Sequence, residues 1–438
     1  MSPPRRVEER TRSTGRVVAF VATLLVAALL AVACGDDGGP DTSSPTSGTA
    51  VTTAPSTTSS SPPTSAPTTS TTTATAPTPV AVDPPASAVW VHLFDDTLKT
   101  PEGVEAVLDE VADAGIEAVI AQVIRRHDAY YRSGYLPATP DPGLAPGFDV
   151  LAALVEGGHA RGLQIHAWFV VGHAYHHQYD GLDLPPDMAW VAHGPDSADS
   201  WMTVGHDGTV SREFFDVGLD AVHDHVAAIV EDLASRYEVD GVHLDYVRYD
   251  AQHLGYHPDA LAAFARETGR TDRPSPSDRQ WSQWRTDRTA ELIARATATL
   301  ERVRPGALLS AAVIAGGAGP SSSPGGFAGT RAAVHYFQDW PRWLAEDRVD
   351  FVLAMAYTRE SNVEHAGWFR DWVRFAGELA ERYPGRVGVG VGAYLNPVDA
   401  ALAQVALVRD TTGMVGIYSY QQDSVGPTRG EVLARCCR

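Results

Sequence analysis

The sequence predicts an α/β protein: a (β/α)8 TIM barrel with long loops at the strand carboxyl ends, preceded by a disordered tether. Three observations carry this. Eight short apolar, β-rich runs recur after residue 86, nearly every one followed by a segment of helical periodicity. Residues 86–438 are the right length for such a barrel with insertions. The competing fold, a doubly wound open sheet, lacks its best sign: the first run continues Phe94-Asp95-Asp96-Thr97 with no glycine-rich phosphate fingerprint.

Element by element, the strand candidates are 89–93, 118–124, 164–170, 241–246, 308–314, 351–357, 387–391 and 414–419. Between the first two, Thr100-Pro101-Glu102 offers a capping threonine with proline at the first helical position. A helix should open there, run through Val104, Val107, Leu108 and Val111, and stop at Gly115. Further helices read at 148–160, 221–237, 281–303, 368–382 and 398–408. Three connections are long, 171–217, 249–280 and 315–337, and all leave strand carboxyl ends, the face on which barrels carry their sites. Their aromatics, Trp190, Trp201, Tyr175, Tyr179 and Tyr256, suit either sugar stacking or small cores of the loops themselves.

The segment before the barrel is of a different kind. Arg5, Arg6, Arg10, Arg12 and Arg16 precede an apolar run from Val17 to Ala33, the pattern of an export signal. The run ends Leu30-Ala31-Val32-Ala33-Cys34, which resembles a bacterial lipoprotein signal and makes Cys34 the expected lipid anchor, with residues 1–33 removed. Residues 34–85 are mostly Ser, Thr, Pro, Ala and Gly, too poor in apolar side chains to fold and suited to a tether. The expected location is therefore extracytoplasmic, on the membrane by a lipid. Cys436 and Cys437, adjacent near the C-terminus, give no disulfide framework and read as incidental thiols on a frayed tail.

Charge narrows the partners. With 34 Lys+Arg against 54 Asp+Glu the formal charge is -20, which repels nucleic acid and favours a neutral or weakly charged substrate. The composition is compatible with a monomer, and no cofactor is called for.

The chemistry concentrates on the fourth strand, Val239-Asp240-Gly241-Val242-His243-Leu244-Asp245-Tyr246-Val247-Arg248-Tyr249. Strand side chains alternate, so His243 and Asp245 share one face and Val242 and Leu244 the other. The apolar pair suits the helix layer, which turns His243 and Asp245 into the barrel with Asp245 nearest the carboxyl end. A carboxylate there is costly unless paired or used. Arg248 could pair it in a purely structural ion pair, or Asp245 could be one of the two carboxyl groups that glycosidic cleavage needs.

That segment resembles the signature of the glycosyl-hydrolase-like family 10 domain, a (β/α)8 barrel group of exported bacterial proteins. Similar residues recur at Asp128-Ala129-Tyr130-Tyr131-Arg132-Ser133, His166-Ala167-Trp168-Phe169, Phe215-Asp216-Val217-Gly218, Trp281 with Trp284-Arg285, Gln338-Asp339-Trp340 with Trp343, Met355-Ala356-Tyr357-Thr358 and Gly416-Ile417-Tyr418-Ser419-Tyr420. The departures are Val170 for an Asn, Val217 for a Pro, and Asp250 for the Pro that closes the fourth-strand motif. The resemblance implies hydrolysis of cell-envelope polysaccharide, with peptide-free peptidoglycan strands as one substrate of such proteins.

A glutamate commonly ends the seventh strand of retaining barrel glycosidases, but here the run is Val387-Gly388-Val389-Gly390-Val391-Gly392 with no acid. The remaining acids near strand ends are Asp95, Asp96, Asp128, Glu360 and Asp423, of which Glu360 and then Asp128 are the expected partners of Asp245. Arg248, Tyr246, Tyr131, His166, Trp168, His243 and Tyr357 are expected to bind sugar. His173, His176 and His177, with His193 and His206 nearby, raise a metal site, but no ligand spacing supports one. Three functions follow: a glycoside hydrolase on cell-wall or extracellular polysaccharide, a non-catalytic glycan-binding lipoprotein, and a metal-dependent polysaccharide deacetylase.

Overall fold

The computed structural model describes residues 82–421 and 429–437. The expected signal, Cys34, most of the tether and Asp423 lie outside them. In chain order the elements begin with β1 (Ser87–Val91), α1 (Pro101–Asp113), β2 (Ala118–Ile124), α2 (Val150–Ala160) and β3 (Gln164–Val170). The insertion after β3 holds α3 (Ala189–His193), β4 (Met202–Val204) and β5 (Val210–Phe215), followed by α4 (Asp220–Arg236) and β6 (Gly241–Asp245). Then come α5 (Pro258–Thr268), α6 (Arg279–Val303), β7 (Leu308–Ile314), α7 (Arg331–Val334), α8 (Trp340–Ala345) and β8 (Phe351–Met355). The chain finishes with α9 (Val363–Arg382), β9 (Val387–Gly392), α10 (Val398–Thr412), β10 (Val415–Tyr418) and α11 (Arg429–Cys436).

Eight parallel strands close into a barrel in the order β1-β10-β9-β8-β7-β6-β3-β2. The predicted fourth strand is β6, because the insertion after β3, expected as a long connection, carries its own antiparallel pair, β4 and β5. Capping follows the sequence: Thr100 accepts from the Gly103 amide and starts α1, as Asp149 does for α2 and Asn362 for α9.

The alternation on β6 is as predicted. Val242 and Leu244 pack into the large apolar layer between strands and helices. His243 points inward, where it accepts from Trp90 Nε1 at 3.1 Å and meets Ser310 Oγ at 2.8 Å. Accepting at Nε2 leaves the proton on Nδ1, so a neutral imidazole donates to the serine, and burial lowers the His243 pKa to match. Trp90, Ala88, Ile120, Trp168, Phe351 and Leu353 fill the interior. Room for the Trp90 ring comes from glycine: a Cβ on Gly416 would stand 2.5 Å from it, and one on Gly390 3.0 Å.

Two boundaries differ from the sequence reading. Val82, assigned to the tether, packs against the interior cluster, and its amide donates to Gly306 O. The C-terminus is not frayed: Cys436 is buried on α11 and its carbonyl accepts from Arg409 Nη1 at 2.7 Å. The apolar positions of α11 are too few for a periodicity signal, and its docking surface exists only once α10 has packed.

Candidate active site

β6 ends at Asp245 on the carboxyl-end face of the barrel. The next residue, Tyr246, takes a positive φ of 56°, a bend that folds its own amide back to donate to Asp245 Oδ1 at 2.7 Å. Arg248 Nη1 donates to the same oxygen at 3.2 Å, while its guanidinium lies 3.7 Å from the Tyr246 ring centre. Oδ2 accepts no hydrogen bond from the described residues. Burial works against the charge of Arg248, but Asp245, Tyr246 and Asp250 outweigh it and raise its pKa. It is a fixed cation.

Aromatic side chains surround this carboxylate. Tyr246, Tyr357, Tyr394 and Tyr418 are all half-buried. Tyr357 and Tyr418 stack at 5.1 Å, and Tyr394 meets Tyr418 edge-on at 6.1 Å. The tyrosine hydroxyls stay protonated: desolvation raises the pKa of Tyr357 and Tyr418, and the nearby Asp245 charge adds to it. On the other side, His173 stacks on Phe214 at 4.5 Å and lies 5.5 Å from Tyr246. Burial, then Arg126 and Arg248, push its pKa well down, so it is a neutral imidazole. His176 is likewise held neutral, near 3, by burial and by Arg126.

Of the expected site residues, the structure gathers Asp245, Tyr246, Arg248 and Tyr357 at the mouth, with Trp168 and His243 in the packed interior beneath. It does not bring the others there. His166 is fully buried lower in the barrel, bonded to Gln164 and edge-on to Phe351. Tyr131 turns to the helix layer and packs on Tyr237, which closes α4. Asp128 is sealed, its Oδ1 accepting from the Arg126 amide and the Tyr179 hydroxyl. Glu360 ties loops together, with Oε1 taken by Gln404 of α10 and Oε2 by Arg370 of α9. For Tyr131, Asp128 and Glu360 the position after a strand suggested the rim, and contacts to Tyr237, Tyr179 and Gln404, distant in sequence, turned them away. His166 lies within β3, too low in the barrel to reach the mouth.

The insertion aromatics form their own small cores. Trp190 stacks on Tyr175, Trp201 on His193, and Tyr256 packs against Trp281. His193 pairs off with Trp201 and His206 with Tyr256, while His176 stays 4.1 Å from His177, and among the described residues no group of three His, Cys, Asp or Glu is placed to hold a metal. Sequence reasoning missed Arg126, Tyr394 and Tyr418 as mouth residues. The aromatic residues after the last two strands were visible, but only closure of the barrel sets them beside β6.

Residues 86–398 match the family described as Glycosyl hydrolase-like 10. The chain belongs to the glycosyl hydrolase-like 10 family. Among curated proteins, this glycosyl hydrolase-like 10 chain is 26% identical over 296 residues to glycosyl hydrolase YngK of Bacillus subtilis, covering 66% of this chain and 54% of that one. It is 27% identical over 265 residues to glycosyl hydrolase DigH of Escherichia coli K12, covering 57% and 56%. The chain thus spans about half the length of these relatives. Among solved structures, the glycoside hydrolase domain of PgaB from Bordetella bronchiseptica aligns with a TM-score of 0.56 at 17% identity, over 80% of this chain and 99% of that one. The catalytic domain of β-amylase from Paenibacillus polymyxa gives 0.55 at 12%, over 78% and 94%. At such identities these two share the fold.

Proposed function

We propose that this protein is a glycoside hydrolase of the cell envelope, cleaving an exported or cell-wall polysaccharide such as peptide-free peptidoglycan strands, with Asp245 as its central carboxylate. The observation that supports this best is the setting of Asp245: one oxygen fixed by Tyr246 and Arg248, the other without a partner, and half-buried tyrosines around it for sugar faces to stack on. The family and the names of its curated relatives agree with it.

A second carboxyl group is required for the common two-acid mechanisms. We assign it to Asp250 rather than to Glu360, whose two oxygens are bonded to Gln404 and Arg370, or to Asp128, which is fully buried. Asp250 is solvent-exposed at the rim. Crowding by protein raises its pKa against the pull of Arg248, with Glu213 adding to the rise, and solvent access tempers the effect. A carboxyl with a raised pKa suits the acid role and leaves Asp245 the role of nucleophile or base. Export and lipid anchoring through Cys34 complete the proposal, placing a monomeric enzyme at its polymer.

The test is release of reducing ends from peptide-free glycan strands. Wild-type protein should release them and Asp245→Asn should fall by several orders of magnitude while keeping its melting temperature. Equal rates in the two proteins would remove Asp245 from the mechanism. Saturable binding without turnover by the wild type would leave the glycan-binding alternative standing instead.

A further inference from the structure

The barrel mouth contains a second cation that the reading above does not use. Arg126 follows β2 and is only 4% exposed. Its Nη1 donates to the neighbouring Arg125 carbonyl at 2.6 Å, its Nε has no partner, and among the described residues it makes no ion pair with any carboxylate. The other arginines here are matched: Arg248 to Asp245, and Arg125 to Asp141 at 3.4 Å with Gln178 and Tyr179 beside it. The nearby buried Asp128 acts on Arg126 through its field but makes no ion pair with it. A buried guanidinium with no direct carboxylate partner is costly, which leaves its fork available to an anionic ligand.

Its position points into the site. The guanidinium lies 5.7 Å from the half-buried Phe94 ring on the β1 side, and its field acts on His173 and His176 after β3, on Tyr246 after β6 and on Tyr418 of β10. It therefore stands amid the elements that surround Asp245. The imidazoles next to it also lack hydrogen-bond partners, at both ring nitrogens of His173 and at Nε2 of His176, with the Glu213 carboxylate 3.8 Å from His173 Nε2. Being neutral, they offer hydrogen bonds suited to sugar hydroxyls.

We propose that Arg126 is the carboxylate-recognising residue of the site, and that the preferred glycan carries one free carboxylate on the sugar bound beside Asp245. Charge balance favours this ligand over a phosphorylated one. One unmatched guanidinium neutralises a singly charged carboxylate, through a planar fork that fits two oxygens, whereas a phosphate would leave excess negative charge near Asp245. The proposal rests on the hydrolase reading, and it reverses the expectation of a neutral substrate drawn from the net charge of -20, because two buried arginines, Arg126 and Arg248, stand at the mouth and only Arg248 is paired there.

The test varies the ligand first, so that folding of a variant is not at issue. Full-length protein carrying Asp245→Asn is titrated calorimetrically with two matched pairs. One pair is peptide-free peptidoglycan strands, whose lactyl groups are free carboxylates, and the same strands with those groups reduced to alcohols. The other is a uronate-containing oligosaccharide and its reduced counterpart. We expect at least one acidic ligand to bind ten-fold or more tightly than its reduced partner, the pair identifying the source of the carboxylate. Adding Arg126→Gln should bring the two affinities together, and Arg126→Lys should restore part of the gap. Parity within both pairs, or no binding by any ligand, overturns the proposal. Turnover by the wild type separates the two readings. Preference without turnover retains the anion site and rejects hydrolysis, and turnover of acidic and reduced strands alike does the reverse.

Discussion

At the scale of single residues, Tyr246 is the hinge of the site. A tyrosine at φ 56° costs about 1–2 kcal/mol relative to an ordinary conformation, and here the bend delivers an amide to Asp245 and a ring to Arg248. The neighbouring Asp250 can be tested by leaving group. If it donates the proton, Asp250→Asn should lose on the order of 10²–10⁴ in rate on a natural glycan, the range of general acid catalysis. It should lose far less on an aryl glycoside whose leaving group needs no proton. An unaltered rate on the glycan would point instead to a mechanism in which the substrate's own acetamido oxygen is the nucleophile and Asp245 protonates the leaving group. The inward face of Asp245 was legible from alternation on its strand. The commitments of Glu360 and Asp128 were not, since Gln404 and Tyr179 lie 44 and 51 residues away from them in sequence.

At the scale of elements, β9 explains a pattern that the sequence showed without its reason. Val387, Val389 and Val391 face the helices, while Gly388, Gly390 and Gly392 leave the barrel interior open on that side. Trp90 and Tyr357 occupy the space: a Cβ on Gly390 would meet both rings, at 3.0 and 3.3 Å. The missing seventh-strand acid is thus replaced by packing. Gly416 on β10 is tighter still, and Gly416→Ala should destabilise the fold by roughly 1–3 kcal/mol through overpacking against Trp90. Chemical denaturation would register this as a lower midpoint at unchanged slope, whereas an unmoved midpoint would mean that Trp90 yields freely. Strand and helix positions were readable because each has its own period and caps. The β4–β5 pair was not, because strands of three and six residues in a polar insertion carry little periodicity.

At the scale of the whole molecule, buried neutral histidines set the response to acid. Burial lowers His92, His166 and His223 to about 4, and His176 and His225 to about 3. An unfolded histidine takes its proton near 6.5, so the unfolded chain binds more protons as the pH falls below that value. The stability they contribute is complete above about 6.5 and is lost progressively as the pH approaches 4 to 3, by on the order of 1 kcal/mol per group at pH 5.5. Asp216, Asp339 and Asp350, raised chiefly by desolvation, act with the opposite sign, but only as the pH nears the carboxylate range. The melting temperature should therefore drop steadily from pH 7 to pH 5. A flat profile across that interval would show that these imidazoles are protonated in the fold at no cost.

The sequence by itself determined the barrel, the order of its strands and the inward carboxylate at the end of the fourth, because apolar periodicity, caps and alternation are local properties of consecutive residues. Only the tertiary structure decided which groups share the mouth with that carboxylate. The tyrosines come from β8, β9 and β10, the unmatched Arg126 from β2 and the neutral histidines from the insertion after β3, and their meeting depends on ring closure, which no run of neighbouring residues encodes.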